Sequence, residues 1–212
     1  MSARGRCDVW VVPVAPGSAD AVAGLLAAAL ASWDARPAPL VRSCRRCGST
    51  AHGRPALSAP DAPAVSWSRT RGAVALALTD APTVGVDVEG PHPDRRLDTL
   101  ADWVWTPRER AAAATAPDAG ALLLRDWARK EAVLKAWGWG LALPMAEVDL
   151  ADRRATRPGE RDLVVHDLGD LATVWGAPTA SGIGGAVAVP PGVAVRVLDG
   201  RPLLGRRRAT TA

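Results

Sequence analysis

The chain of 212 residues has no phenylalanine and no tyrosine, only three cysteines, and no lysines besides Lys130 and Lys135. Nine tryptophans are its whole aromatic complement, so large volumes in a core must be filled by indole rings, each of which brings an N–H donor. Three cysteines do not make a disulfide framework, which excludes the small secreted scaffolds held by several bridges. No apolar stretch reaches the roughly 20 residues that span a bilayer; the Ala/Leu-rich run Ala21–Ala31 is too short. The segment from Met1 to Pro13 lacks the basic, apolar, small-residue order of a signal peptide. A soluble, cytoplasmic protein without a membrane partner is therefore expected.

Hydrophobic residues make up 48% of the chain, enough for a packed core in one domain of ordinary size or two small ones sharing a core. The formal charge of +4 suits an anionic partner, whether a phosphate-rich cofactor, an acidic protein or a nucleic acid, and does not choose among them. Part of that excess sits in Arg206, Arg207 and Arg208, where residues 200–212 read as a solvated, disordered basic tail. Surface charge is otherwise supplied as arginine, which makes two lysines in one short stretch conspicuous.

Cys7–Val14 reads as a buried strand and Ser18–Ser32 as a helix capped by Ser18. The Pro-, Arg-, Ser- and Gly-rich stretch Ala35–Pro63 reads as a long loop. Ala73–Leu78 and Thr83–Glu89, separated by Asp80-Ala81-Pro82, read as adjacent antiparallel strands. Thr106-Pro107-Arg108-Glu109 carries the signature of a capping box with proline at the first helical position. Asp118 is placed to cap a longer helix running to Trp137, with Gly138 ending it. Leu163–Val165, Leu171–Val174, Gly185–Val189 and Val193–Val197 read as strands of a final sheet. The class is α+β.

Two short patterns carry chemistry. In Val84-Gly85-Val86-Asp87-Val88-Glu89 the strand period puts the valines on one face and Gly85, Asp87 and Glu89 on the other. Adjacent carboxylates repel, and a hard cation such as Mg²⁺, which takes oxygen ligands from carboxylates and substrate phosphates, removes that repulsion. The alternative is a solvated outer face of an edge strand. In Trp127–Trp137, Glu131 and Lys135 lie one helical turn apart on a common face; elsewhere they would read as an exposed ion pair.

Together these stretches resemble a known family. Gly85-Val86-Asp87-Val88-Glu89, followed by Trp127-x-x-Lys130-Glu131-Ala132-x-x-Lys135, is similar to the two signature motifs of the phosphopantetheinyl transferase superfamily. Gly138-Trp139-Gly140-Leu141 resembles the stretch that follows in that family. Cys44-x-x-Cys47-Gly48 with His52-Gly53-Arg54-Pro55 resembles its loop ending in Gly-Lys-Pro, and Ser66-Trp67-Ser68-Arg69 its Ser-His motif. The resemblance spans residues 42–144. It implies Mg²⁺-dependent transfer of the phosphopantetheine arm of coenzyme A to a serine of an apo carrier protein, an acidic helical domain, with no nucleic-acid partner.

The same resemblance implies roles for single residues. Asp87, Glu89 and Glu131 would hold the metal, Glu131 would also act as base, and Lys135 would contact phosphate and assist the leaving group. Arg54 and Arg69, standing where the family has lysine and histidine, together with Ser68, Lys130 and Lys135, would bind coenzyme A. Glu109 matches a position where some members carry a further carboxylate. The chain length suits the larger, monomeric, surfactin-synthetase-activating type, which implies two similar α/β halves related by a pseudo-twofold: an N-terminal half over residues 1–82 and a C-terminal half over residues 83–199. Trp139 stands where lysine is common, and Ser18–Ser32 lacks the arginines that larger members carry there. One rival reading is a non-catalytic relative that binds coenzyme A or a carrier. The other starts from Cys44-x-x-Cys47 and His52, which have the form of half a zinc site, with Cys7 the one remaining cysteine, and sees a small zinc- or nucleic-acid-binding module.

Overall fold

The computed structural model describes residues 5–14, 21–90, 97–176 and 182–205. Its first part runs β1 (Arg6–Pro13), α1 (Ala21–Ser32), β2 (Leu40–Ser43), β3 (Arg54–Leu57), β4 (Ala64–Thr70) and β5 (Ala73–Thr79). Then come β6 (Gly85–Glu89), α2 (Leu97–Val104), α3 (Pro107–Ala113) and α4 (Ala119–Trp137). The chain closes with β7 (Leu150–Ala151), β8 (Arg154–Ala155), β9 (Leu163–Asp167), α5 (Leu171–Trp175), β10 (Gly184–Val189), β11 (Ala194–Asp199) and α6 (Arg201–Gly205). The fold is mixed α+β.

Two sheets form the centre. One has the order β11-β1-β5-β4 and the other β6-β10-β9-β8-β7, while β2 and β3 pair only with each other. Strand alternation explains how they stack. Cys7, Val9 and Val11 of β1 and Ala73, Ala75 and Ala77 of β5 face Val84, Val86, Val88, Val187 and Val189 of the second sheet. The opposite face of the first sheet, with Trp10, Val12, Leu76 and Leu78, packs on Leu25, Ala29 and Leu30 of α1. The opposite face of the second sheet, with Val165, Ala186 and Ala188, packs on Ala132, Val133 and Ala136 of α4. Helix, sheet, sheet and helix thus lie in four layers.

Several sequence expectations are corrected here. Ala73–Leu78 and Thr83–Glu89 do not pair: β5 already has β1 on one side and β4 on the other, so both of its hydrogen-bonding edges are full. The second of the two runs instead joins β10 in the other sheet, and Asp80 in the connection accepts a hydrogen bond from Arg6 N at 2.8 Å. Leu171–Val174 belongs to a short helix, α5, in which Leu171 and Trp175 are buried one turn apart; so short an apolar run fits either period. The stretch Ala35–Pro63 contains the β2–β3 hairpin. Val193–Val197 falls largely in β11, which lies parallel to β1 in the first sheet rather than in a final one. Within the expected tail, Arg201–Gly205 forms α6; Arg206 to Arg208 and Ser18 lie outside the described residues.

Other expectations match. Thr106 and Glu109 form a reciprocal capping box at α3, and Asp118 caps α4 by accepting from Ala121 N. Gly138 ends α4 at φ +81°, a left-handed conformation suited to glycine. No helix among the described residues is long and apolar enough to cross a membrane.

Candidate active site

The site begins with a close approach. A Cβ on Gly85 would lie 1.9 Å from Ala132 O, so α4 rests directly on β6 with nothing between the two backbones. That contact brings the outer face of β6 against the α4 turn carrying Glu131 and Lys135. Lys135 Nζ donates to Asp87 Oδ1 at 2.7 Å and to Val86 O at 3.1 Å. From the other side, β4 supplies two hydroxyls: Ser68 Oγ donates to Asp87 Oδ1 at 2.6 Å, and Ser66 Oγ accepts from Val86 N at 3.1 Å. The serines tie the edge of the first sheet to the edge of the second.

Asp87 is only 4% exposed. Its Oδ1 is fully engaged, but its Oδ2 is buried and has no hydrogen-bond partner among the described residues. A buried carboxylate oxygen without a partner is costly, unless a cation is its intended neighbour. Glu131 is pushed up to about 7 by burial, against the opposing pull of Lys135, with Asp87 and Glu89 adding like-charge repulsion. Asp87, Glu89 and Glu131 are therefore close enough to influence one another's charge, although their oxygens do not converge within 4.8 Å of one another as the Cys44, Cys47 and His52 donors do.

A cavity of about 440 Å³ opens beside Lys135. Arg42, Arg46 and Arg54 give it a cationic lining, and Trp67 and Trp139 add indole walls. Arg54 Nη1 donates to Thr83 Oγ1 at 3.0 Å and to Ala136 O at 3.2 Å, which seats the guanidinium at the C-terminal end of α4, where a cation is favoured. Arg42 lies over the Trp67 ring and Arg45 over the Trp139 ring. Trp139 is further held by Glu160, to which its Nε1 donates at 2.9 Å.

The expected site residues divide. Asp87, Lys135 and Ser68 come together in one hydrogen-bonded group, with Glu131 one turn before Lys135 on α4 and Glu89 next along the same face of β6. Ser68 bonds Asp87 rather than facing the cationic cavity. Arg69 alternates with Ser68 on β4 and so lines a neighbouring groove, shared with Arg42, Trp67 and α1. Lys130 is not brought to the site. It is fully buried, and its Nζ donates to Val104 O at 2.6 Å, Glu109 Oε2 at 2.5 Å and Met145 O at 3.2 Å. Burial holds its pKa below the usual lysine range, against the pull of Glu109. Glu109 meanwhile also accepts from Thr106 N at 2.8 Å, so this pair fastens α3 to α4 and leaves no free group for phosphate. Sequence reasoning did not reach Arg46. The relevant signal was the hairpin, which sets Ser43 opposite Arg54 and Arg42 opposite Pro55 and gathers the loop arginines at one end of α4.

With this geometry in place, comparison with known families is informative. A family model described as the 4'-phosphopantetheinyl transferase superfamily matches residues 83–174. The matched stretch contains Asp87, Glu89, Glu131 and Lys135 and falls short of half the chain. No curated protein matches the chain.

Proposed function

We propose that the protein transfers the 4'-phosphopantetheine arm of coenzyme A to a serine of an apo carrier protein, with Mg²⁺, releasing adenosine 3',5'-bisphosphate. The observation that carries this reading is the buried Oδ2 of Asp87, without a partner among the described residues and beside Lys135, within the stretch that matches the transferase superfamily. In this reading Asp87, Glu89 and Glu131 hold the metal, and Ser68 and Lys135 fix the rotamer of Asp87 by occupying Oδ1. When bound, Mg²⁺ offsets the charge that builds on the pyrophosphate as the anhydride breaks.

The remaining steps belong to the chain's own groups. The cationic cavity takes the phosphates of coenzyme A through Arg42, Arg46 and Arg54, whose guanidinium groups suit phosphate oxygens. Lys135 stands at the boundary between cavity and carboxylates, where it meets the leaving phosphate. Glu131 accepts the proton of the incoming serine hydroxyl. The serine oxygen forms a bond to the phosphorus, the anhydride oxygen leaves with the nucleotide, and the proton resides on Glu131 Oε. Two helix-and-sheet halves related by a pseudo-twofold, a monomeric state and an acidic carrier drawn to the basic surface are part of the same reading.

Titration of coenzyme A by calorimetry, with and without Mg²⁺, tests the binding half of this reading. Binding is expected to tighten with Mg²⁺ and to lose that dependence in Asp87→Asn. Affinity indifferent to both the metal and Asp87 contradicts the assignment.

A further inference from the structure

The loop between β2 and β3 holds a second group of donors, remote in character from the carboxylates. Cys44 Sγ, Cys47 Sγ and a ring nitrogen of His52 all lie within 4.8 Å of one another, and Cys47 Sγ is 3.4 Å from His52 Nε2. A tetrahedral zinc ion with bonds of about 2.3 Å to sulfur and about 2.0 Å to nitrogen sets its donors about 3.5 to 3.8 Å apart. The three side chains therefore need only small adjustments to close around such an ion. We infer that Cys44, Cys47 and His52 form a zinc site that staples this loop.

The backbone is shaped for it. Gly48 N donates to Cys44 O at 2.8 Å, and Cys44 N donates to Ser49 O at 2.9 Å, which folds the Cys-x-x-Cys-Gly segment into a tight turn. Gly53 has φ +102°, and a Cβ there would fall 2.3 Å from Ser43 O. Only glycine lets the returning chain lie so close to the outgoing one, and that closeness carries His52 back over the cysteines.

Polar contacts, through Arg42 to Gly53 O and Arg45 to Trp137 O and Glu160, rather than burial hold this loop. From Cys44 to Gly53 no residue is buried, so a hydrophobic anchor is missing from ten successive positions. A metal cross-link supplies what burial does not. Charge favours the same answer. Two thiolates neutralise Zn²⁺, so the ion adds no net positive charge to a loop already carrying Arg42, Arg45, Arg46 and Arg54. Soft sulfur donors select zinc over the hard cation expected at Asp87. No fourth Cys, His, Asp or Glu joins the cluster among the described residues, and Cys7 is buried between the sheets. The fourth position is left to solvent; Cys44 and His52 also help to line the cavity beside Lys135. The stapled loop in turn docks on the end of α4, through Arg45 to Trp137 O and Arg54 to Ala136 O, so the ion fixes the arginine side of that cavity.

The test uses the full chain, without a polyhistidine tag, purified under reducing conditions. After zinc addition and dialysis, mass spectrometry of the metal should find one zinc per chain. The cobalt-substituted protein should show sulfur-to-cobalt charge-transfer absorption, falling by about half in Cys44→Ser or Cys47→Ser. The double variant should bind zinc at least about 100-fold more weakly, with its circular dichroism checked against wild type. Substoichiometric zinc in the wild-type protein overturns the proposal whatever the variants do. So does a cobalt spectrum unchanged by either serine, or a Cys44–Cys47 disulfide that persists under reductant. None of these readouts depends on transferase activity.

Discussion

Lys130 and Lys135 sit on the same helix in opposite circumstances. Lys130 is sealed among Glu109 Oε2 and two carbonyls, so Lys130→Ala would leave Glu109 without its cation and two carbonyls without a donor. That variant should lose about 3 kcal/mol of stability, read from urea denaturation. Lys135 is partly exposed beside Asp87. Lys135→Ala should abolish transfer at temperatures where the variant remains folded, as activity beside thermal denaturation would show. The scarcity of lysine singled out both residues in the sequence. Helical geometry separated them by about 140° but did not say which would meet the capping box of α3, because that contact joins distant parts of the chain. Glu131 supplies a pH signature. Its folded-state pKa is raised from 4.5 to about 7, so without metal its ionisation opposes folding. Stability should fall as pH rises from about 4.5 to about 7, and this fall should be absent in Glu131→Gln. Mg²⁺ favours the ionised form, so adding it should shift the transition to lower pH. Denaturant midpoints across this range, with and without Mg²⁺, provide the check.

At the scale of elements, the site depends on how closely α4 can lie on β6. Gly85 sets that distance, and Ala186 and Ala188, beside β6 in the neighbouring strand β10, keep the same face shallow. Gly85→Ala would drive a methyl into Ala132 O. It should destabilise the fold by about 3 kcal/mol and displace Glu131 and Lys135 from Asp87, so that transfer falls even at temperatures where the variant remains folded. Thermal denaturation alongside activity checks both effects. The limits of α4 were legible because its caps are local: Asp118 at one end and Gly138 at the other. The alternation of Val84, Val86 and Val88 was legible for the same reason. Sheet membership was not. β5 and β6 are neighbours in sequence, yet whether they pair is decided by β1 and β4, which fill both edges of β5. Leu171 to Trp175 was ambiguous because so short a run, apolar but for Thr173, fits one helical turn as well as a strand.

Across the described residues, the first and last strands meet in the first sheet, where β11 runs parallel to β1. Asp8 fastens that junction: Arg196 donates to it twice, at 2.7 Å each, and Trp33 Nε1 once at 2.9 Å. Although burial opposes it, these donors hold the carboxyl below the usual range. Its contribution is therefore present above the ordinary aspartate pKa of 3.8 and is lost as pH falls below it. Asp8→Asn should lower stability by about 2 kcal/mol at neutral pH, a difference that should shrink in acid, as denaturation at several pH values would show. This junction also holds in place the sheet whose serines reach Asp87, so the reacting groups rest on both sheets at once. The claim that these groups perform phosphopantetheinyl transfer is tested most directly by intact mass spectrometry of apo carrier proteins incubated with coenzyme A, Mg²⁺ and enzyme. Wild-type protein should add the mass of one phosphopantetheine arm to a carrier, and folded Glu131→Gln should add none. No mass gain across fatty-acid, polyketide and nonribosomal-peptide carriers, or a wild-type rate in Glu131→Gln, would contradict the account.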